Sequence, residues 1–167
     1  MQADILDASK LNKKFDIIES GGVLHHMDNP MAGWKVLTDC LRPGSLMKIG
    51  LYSEIARQYI VKMRQEISNA GIGLSHAAMK SFRTMVMTSE QEHHKTILGS
   101  NDFYSMSTIT DLLFHVQEHR FTIPQIGDYL DQLGLKFCGF EDFRIVSHFI
   151  QTNKGKNDPY DLSLIHI

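Results

Sequence analysis

Cysteine and long apolar runs are scarce in this 167-residue chain. Its two cysteines, Cys40 and Cys138, lie far apart and form no Cys-x-x-Cys pair, so a disulfide framework is not expected and a reducing compartment is the simpler interpretation. No apolar run approaches membrane-spanning length, and the first residues lack the basic-then-apolar layout of a signal peptide. These absences predict a cytoplasmic protein with no membrane span.

An excess of positive charge is also absent. The chain has 17 basic and 19 acidic residues mixed along its length, so it has no basic stripe of the kind that neutralises phosphates. Nucleic acid is therefore not expected as a partner. What the chain does contain is 43% hydrophobic residues, which is enough for the core of one domain.

A strand, a helix and a second strand follow one another in the first third of the chain. The first strand is a strongly apolar run that ends at two glycines, which predicts a strand buried on both faces. A strand-helix-strand unit joins parallel strands. The predicted fold class is α/β, with a partial, Rossmann-like doubly wound sheet. The three elements are FDIIES (15–20), the helix from Asp28 or Asn29 through Pro30 to Pro43 and Gly44, and SLMKIGLY (45–52).

Most of the remaining chain has helical spacing. Ser53 is a suitable N-cap for a helix whose apolar stripe includes Met63 and Ile67, and a second stripe includes Phe82 and Val86. A later helix is expected to begin near Thr122 and to end at Gly134, and Ile150 and its apolar neighbours predict a further helix.

This spacing predicts a mostly helical cap over a pocket. We expect residues 1–54 to be the C-terminal part of a sheet-bearing core and 55–134 the helical cap or substrate region. Residues 135–161 are predicted to form a return strand followed by a helix and a loop. The last six residues, LSLIHI (162–167), translate CTG TCT CTT ATA CAC ATC, a transposon-end adapter, so they are left out of the fold prediction.

The segment FHVQEHRF (114–121) has the His-x-x-Glu-His spacing of inverted zinc proteases, formed by His115, Glu118 and His119. A zinc hydrolase needs a third protein ligand, and no second motif supplies one convincingly. Another histidine pair, His93 and His94, is adjacent on a predicted helix. Adjacent side chains point about 100° apart, so this pair is interpreted as a solvated polar face. No metal is therefore predicted, and zinc hydrolysis is the less favoured alternative.

Particular residues of one stretch indicate more than its strand and helix spacing does. The stretch is FDIIESGGVLHHMDNPMAGWKVLTDCLRPGSLMKIGLYSE. It resembles the later half of class I S-adenosylmethionine-dependent methyltransferases, especially the quinone-biosynthesis-like group with VLHH and LRPGG segments. Ser45 stands where the second of those glycines is usual. The later segments DLLFHVQEHRFT and LGLKFCGFE resemble a subgroup often fused to tetratricopeptide repeats, which implies a fused or partner repeat domain.

The resemblance implies a seven-stranded sheet whose first two strands, glycine-rich loop, ribose-binding acid and last strand are not in this sequence. The expected identity is thus a C-terminal fragment of a methyltransferase that is not active alone. The resemblance implies that residues 1–54 bind the cofactor S-adenosyl-L-methionine and that the methyl acceptor is a small molecule or a protein. The implied cofactor-binding residues are Asp4 near the adenine amino group, Ile5 and Leu6 beside the ring, Ser20, Gly21 and Gly22 beneath the sulfonium, and His25 or its neighbour His26.

Substrate and catalytic roles follow from positions in the same resemblance. Tyr52 and Arg57 are expected to orient or clamp the substrate, and Arg120 to hold an anionic group. His115, Glu118 and His119 are candidates for a base. For each candidate site residue a structural role also stays open: a helix cap for Asp4, the core for Tyr52, an ion pair for the arginines, and a helix end for the segment at 115–119. An alternative function, a degenerate methyltransferase-like domain that binds ligands without catalysis, also stays open.

Overall fold

The computed structural model describes residues 3–114 and 117–152, except for the side chains of Ile145 and Phe149. The candidate base His115, the polar loop at 153–161 and the adapter-like tail at 162–167 lie outside the described residues. The chain divides into two compact units. The sheet unit comprises Met1–Ser53 with His119–Ile167, and the helical unit comprises Glu54–Glu118.

The sheet unit is built on two parallel strands. Strand β1 (Phe15–Gly21) and strand β2 (Leu41–Gly50) pair with Ile18 opposite Met47 and Ser20 opposite Ile49. Helix α1 (Pro30–Asp39) connects them, and the Asn29 side chain caps it by accepting from the Ala32 amide at 3.1 Å. The α/β class, the parallel strands and this cap are confirmed.

The prediction that Pro43 and Gly44 stop the helix is wrong. Helix α1 ends at Asp39, and both residues lie within β2, where the register with β1 shifts between Phe15 and Ile17. Pro43 has no amide hydrogen for the ladder, and Gly44 has a φ of +78° that other residues rarely adopt. These two properties explain why the pairing is irregular there.

The prediction that β1 is buried on both faces is also wrong. One face of the two strands, with Ile18 and Met47, packs against a cluster that includes Leu24, Trp34 and Leu37. On the other face Ile17 is 73% exposed and Leu46 is 60% exposed. These exposures show that this apolar face is largely uncovered, and among the described residues the sheet has two strands.

In its described residues the helical unit contains four α-helices around an apolar core. They are α2 (Gln58–Asn69), α3 (His76–Met87), α4 (Glu92–Ile97) and α5 (Met106–Ile109), and a π-helical turn (Thr110–Phe114) follows. The predicted stripes at Met63 and Ile67 and at Phe82 and Val86 are buried, which confirms them. Helix α2 begins later than Ser53 predicts, because residues 54–57 form a turn.

Two more helices belong to the sheet unit. Helix α6 (Ile123–Leu133) begins at a capping box formed by Thr122 and Gln125 and ends at Gly134, whose φ is +64°. Helix α7 (Phe143–Thr152) forms close to where Ile150 and its neighbours predict it. Residues 135–140, predicted as a return strand, are not in a strand. Alternation alone is insufficient, because a strand needs a neighbouring edge for its hydrogen bonds.

Across residues 3–114 and 117–152, none of the helices combines the length and the apolar character needed to cross a lipid bilayer.

Candidate functional site

The loops that follow the two parallel strands form the candidate site of the sheet unit. Ser20, at the end of β1, is buried, and Gly22 turns the chain with a φ of +73°. A short 3-10 helix (Leu24–His26) follows. Tyr52 lies two residues beyond β2. Ligands of doubly wound sheets bind outside the carboxyl ends of the strands, which is where both loops lie.

An imidazole stacked on a phenol joins the two loops. The ring of His25 is 1% exposed and lies 3.8 Å from the Tyr52 ring, centroid to centroid, with 27° between the planes. His26 makes an edge contact with Tyr52 at 5.9 Å and is only half-buried. Of the two histidines that the sequence could not distinguish, His25 is thus the buried one.

A short segment after the helical unit is hydrogen-bonded to both loops. The His119 amide donates to the carbonyl oxygen of His25 at 2.8 Å, and the Phe121 amide donates to that of Tyr52 at 2.8 Å. Ser53 and Phe121 form a parallel bridge. The chain from His119 to Phe121 therefore closes the site against both strand ends. Its four hydrogen-bonding groups are main-chain groups, so no residue pattern in the sequence indicates this pairing.

Two side-chain atoms of this site are buried without a hydrogen-bond partner among the described residues. They are the Ser20 hydroxyl oxygen and the Nε2 atom of His119. A buried polar atom that makes no hydrogen bond costs about 1–3 kcal/mol, so a polar ligand here would supply a partner that the protein does not. Both residues are among those that the sequence assigns to the site.

The N-terminal candidates have structural roles. An Asp4 carboxylate oxygen accepts from the Leu6 amide at 2.9 Å and caps a 3-10 helix (Ile5–Leu11). Ile5 packs against the apolar cluster of the sheet unit, and the side chain of Leu6 is 45% exposed. Contact of these residues with an adenine ring stays a prediction.

In the helical unit, Glu118 is bound by two arginines. Its carboxylate is fully buried and accepts from Arg57 Nε at 3.0 Å, from Arg57 Nη2 at 2.5 Å and from Arg64 Nη2 at 3.0 Å. Arg57, which was expected to clamp the substrate, therefore contacts a carboxylate of the protein itself. Glu118 and His119 belong to different units, and Arg120, in the sheet unit, is half-buried.

A second polar cluster of the helical unit was not predicted. His93 Nε2 lies 2.5 Å from one carboxylate oxygen of Glu66, and His94 Nε2 lies 2.6 Å from the other. The interpretation of the two histidines as a solvated face is wrong, since His94 is 1% exposed and His93 is partly buried. Glu66 and the histidines are 27 and 28 residues apart, so the pairing depends on the packing of α2 against α4.

The charge of Glu66 is favoured by its two neighbours. Partial burial raises the pKa of this carboxyl, but hydrogen bonds from His94 and His93 and the electrostatic effect of the two rings outweigh burial and leave the pKa below its usual range. An ionised carboxylate held by two imidazoles is the state expected near neutral pH.

No protein-family model matches the chain. The chain is similar to an uncharacterized protein from Synechococcus sp., with 25% identity over 151 residues. The alignment covers 84% of this chain and 36% of that protein, so the chain spans about a third of the length of this relative. Because the relative is itself uncharacterized, the similarity assigns no activity.

Proposed function

We propose that this chain supplies the later strands of the cofactor domain of an S-adenosylmethionine-dependent methyltransferase with a Rossmann-like sheet. The observation that carries the proposal is the pair of loops at the carboxyl ends of two parallel strands, with His25 stacked on Tyr52. This is the position at which the resemblance of the sequence expects the sulfonium. On this proposal the glycine-rich loop and the ribose-binding acid belong to residues that precede the chain.

The residues at the two loops fit such a cofactor. The unpartnered Ser20 hydroxyl can donate to a polar atom of the ligand, and Gly21 and Gly22 leave space for a close approach, because no atom lies within 4 Å of a Cβ built at either glycine. The bound cofactor would supply a methyl group activated by its positive sulfur.

The chain's own task in the reaction is to orient the acceptor, exclude water and receive a proton. His119 is the best candidate for the proton acceptor. Its Nε2 atom is buried and unpartnered within the described part of the chain, and its backbone is fixed by the hydrogen bond to His25. The acceptor itself, a small molecule or a protein nucleophile, is set by residues outside this pair of loops.

The experiment is a calorimetric titration of the full-length protein with S-adenosylmethionine, comparing the wild type with Ser20→Ala. We expect saturable binding by the wild type and at least about tenfold weaker binding by the variant, which corresponds to one lost hydrogen bond in a buried site. The unfolding free energy of Ser20→Ala should not fall, because its hydroxyl has no partner among the described residues.

The matched control is Ser45→Ala, which changes the same residue type in the same unit, within β2. It should bind S-adenosylmethionine as the wild type does. Absence of saturable binding by the full-length wild type would refute the proposal. Binding without methyl transfer to any acceptor would instead favour a methyltransferase-like domain that only binds ligands.

The zinc-hydrolase alternative has no support in the described residues. Its proposed base, Glu118, is fully buried and bound by Arg57 and Arg64. A general base must reach a water molecule or substrate, and this carboxylate is enclosed by its own ion pairs.

A further inference from the structure

We propose that Glu66, His93 and His94 form a binding site for a divalent transition-metal ion of the zinc class. This site belongs to the helical unit and is independent of the proposed methyl-transfer function. One atom from each residue, a carboxylate oxygen and two ring nitrogens, lies within 4.8 Å of the other two. Two imidazoles and one carboxylate are the ligand set of many zinc sites with an open fourth position.

The fold holds the three residues on two packed helices. Glu66 lies in the last turn of α2, while His93 and His94 lie in the first turn of α4. Both helices are anchored in the same apolar core, α2 through Met63 and Ile67 and α4 through Ile97. The ligands would therefore be fixed by the fold before a metal binds, which reduces the ordering cost of binding.

The two adjacent histidines reach one carboxylate although their side chains leave the helix in different directions. Their ring centroids lie 4.4 Å apart and the ring planes are 55° apart, and each ring directs Nε2 at a different oxygen of Glu66. The carboxylate thus lies between two nitrogen atoms that can both become ligands. Two adjacent histidines on the surface of a helix would not direct both Nε2 atoms at one place without a partner such as Glu66.

The distances require only a small adjustment for a metal. Zinc holds nitrogen and oxygen ligands at about 2.0–2.2 Å, so neighbouring ligand atoms in a tetrahedral site lie about 3.3 Å apart. The contacts of 2.5 and 2.6 Å must therefore open by about 0.7 Å. The Glu66 side chain is 33% exposed, so it can rotate outward, while His94, at 1% exposed, stays in place.

Exposure of the site is graded, which leaves a route for the ion. His94 forms the buried side, His93 is 14% exposed and Glu66 faces solvent in part. A metal bound to these three ligands would keep its fourth position toward Glu66 and the solvent. Water would occupy that position, as in zinc sites with three protein ligands.

The competing interpretation is a carboxylate that only hydrogen-bonds to two imidazoles, with no affinity for metal. Metal binding requires the lone pair of each Nε2, whereas the hydrogen-bonded cluster requires Nε2–H to donate. The substitution His93→Gln distinguishes the metal site from the hydrogen-bonded cluster, because the glutamine amide can donate to Glu66 but offers no imidazole nitrogen to a metal.

The test is a titration of the tag-free, metal-stripped 167-residue chain with zinc chloride alone, followed by calorimetry. We expect saturable binding of one zinc ion per chain and a higher melting temperature in its presence. His93→Gln should weaken binding at least about tenfold, since the loss of even an outer-sphere partner has that effect. Glu66→Gln should do the same without removing any histidine.

The control is His76→Gln, which removes an exposed histidine from α3 of the same unit. It should bind zinc as tightly as the unchanged chain. The proposal is overturned if the unchanged chain shows no saturable binding, or if His93→Gln and His76→Gln bind zinc equally well. Because no S-adenosylmethionine is present, neither result bears on the proposed methyl transfer.

Discussion

The sheet unit and the helical unit place their charged groups differently. On the sheet unit the pairs of Asp16 with Arg42 and of Glu19 with Lys48 are all between 49% and 72% exposed. The helical unit buries Glu118 completely between two arginines that are 11% and 19% exposed. These ion pairs of the sheet unit are screened by water, whereas the Glu118 pairs of the helical unit are removed from it.

Their apolar surfaces differ in the opposite sense. The helical unit encloses a cluster of ten buried residues that includes Ile60, Phe103 and Ile109. The sheet unit covers one face of its two strands and leaves Ile17 and Leu46 largely in contact with solvent on the other. The comparison indicates that the helical unit has the more complete core of its own. Three pairs of substitutions, one member in each unit, test this difference between the units.

The largest effect is expected for Glu118→Ala in the helical unit. Removal of the carboxylate takes the negative charge away from two mostly buried guanidinium groups. The free energy of unfolding should therefore fall by about 3–5 kcal/mol. Urea denaturation followed by circular dichroism measures this. The counterpart in the sheet unit, Asp16→Ala, should cost within about 0.5 kcal/mol. Equal costs would remove the contrast between the units.

A slightly smaller effect is expected for an apolar truncation. Ile60 is fully buried, so Ile60→Ala should cost about 2–5 kcal/mol through lost burial and a cavity. Ile17 is 73% exposed, and Ile17→Ala should cost less than about 1 kcal/mol. Thermal or urea unfolding of both variants gives the comparison. A large loss for Ile17→Ala would mean that the open face of the strands is covered in solution.

The smallest effect should be the same in both units. Asn29 caps α1 in the sheet unit and Ser75 caps α3 in the helical unit, with side-chain contacts of 3.1 and 3.2 Å to main-chain amides. Replacement of either by alanine should cost about 1 kcal/mol, because capping depends on the local turn and not on the core behind it. A difference above about 1 kcal/mol between the variants in urea unfolding would show that the units respond differently even to local changes.

Much of the local structure could be predicted from the sequence. Asn29 followed by Pro30 gave the start of α1, and Thr122 and Gly134 gave both ends of α6. The order of strand, helix and strand gave the α/β class with parallel pairing. The misplaced boundary at Pro43 and Gly44 arose because a turn signature can also occur as an irregularity inside a strand.

The candidate site was predicted only in part. The resemblance located Ser20 at the end of a strand and His25 and Tyr52 in the loops after the strands, but it did not indicate that His25 stacks on Tyr52. It also grouped Glu118 with His119, although the two residues belong to different units. Their places in the chain are adjacent, yet the Glu118 side chain is bound by Arg57 and Arg64, whereas the main chain of His119 is bound to His25.

Local sequence specifies most of the helices and their caps, because these depend on residues a few positions apart. The parallel pairing of β1 and β2 spans almost thirty residues, and it was predicted from the order of strand, helix and strand. Tertiary structure alone decided which polar groups meet. Arg57 and Glu118 are 61 residues apart, and Glu66 and His94 are 28 residues apart. Periodicity shows that a residue lies on a helix but not what packs against it, so the ion-paired Glu118 and the proposed metal ligands emerged only from the folded chain.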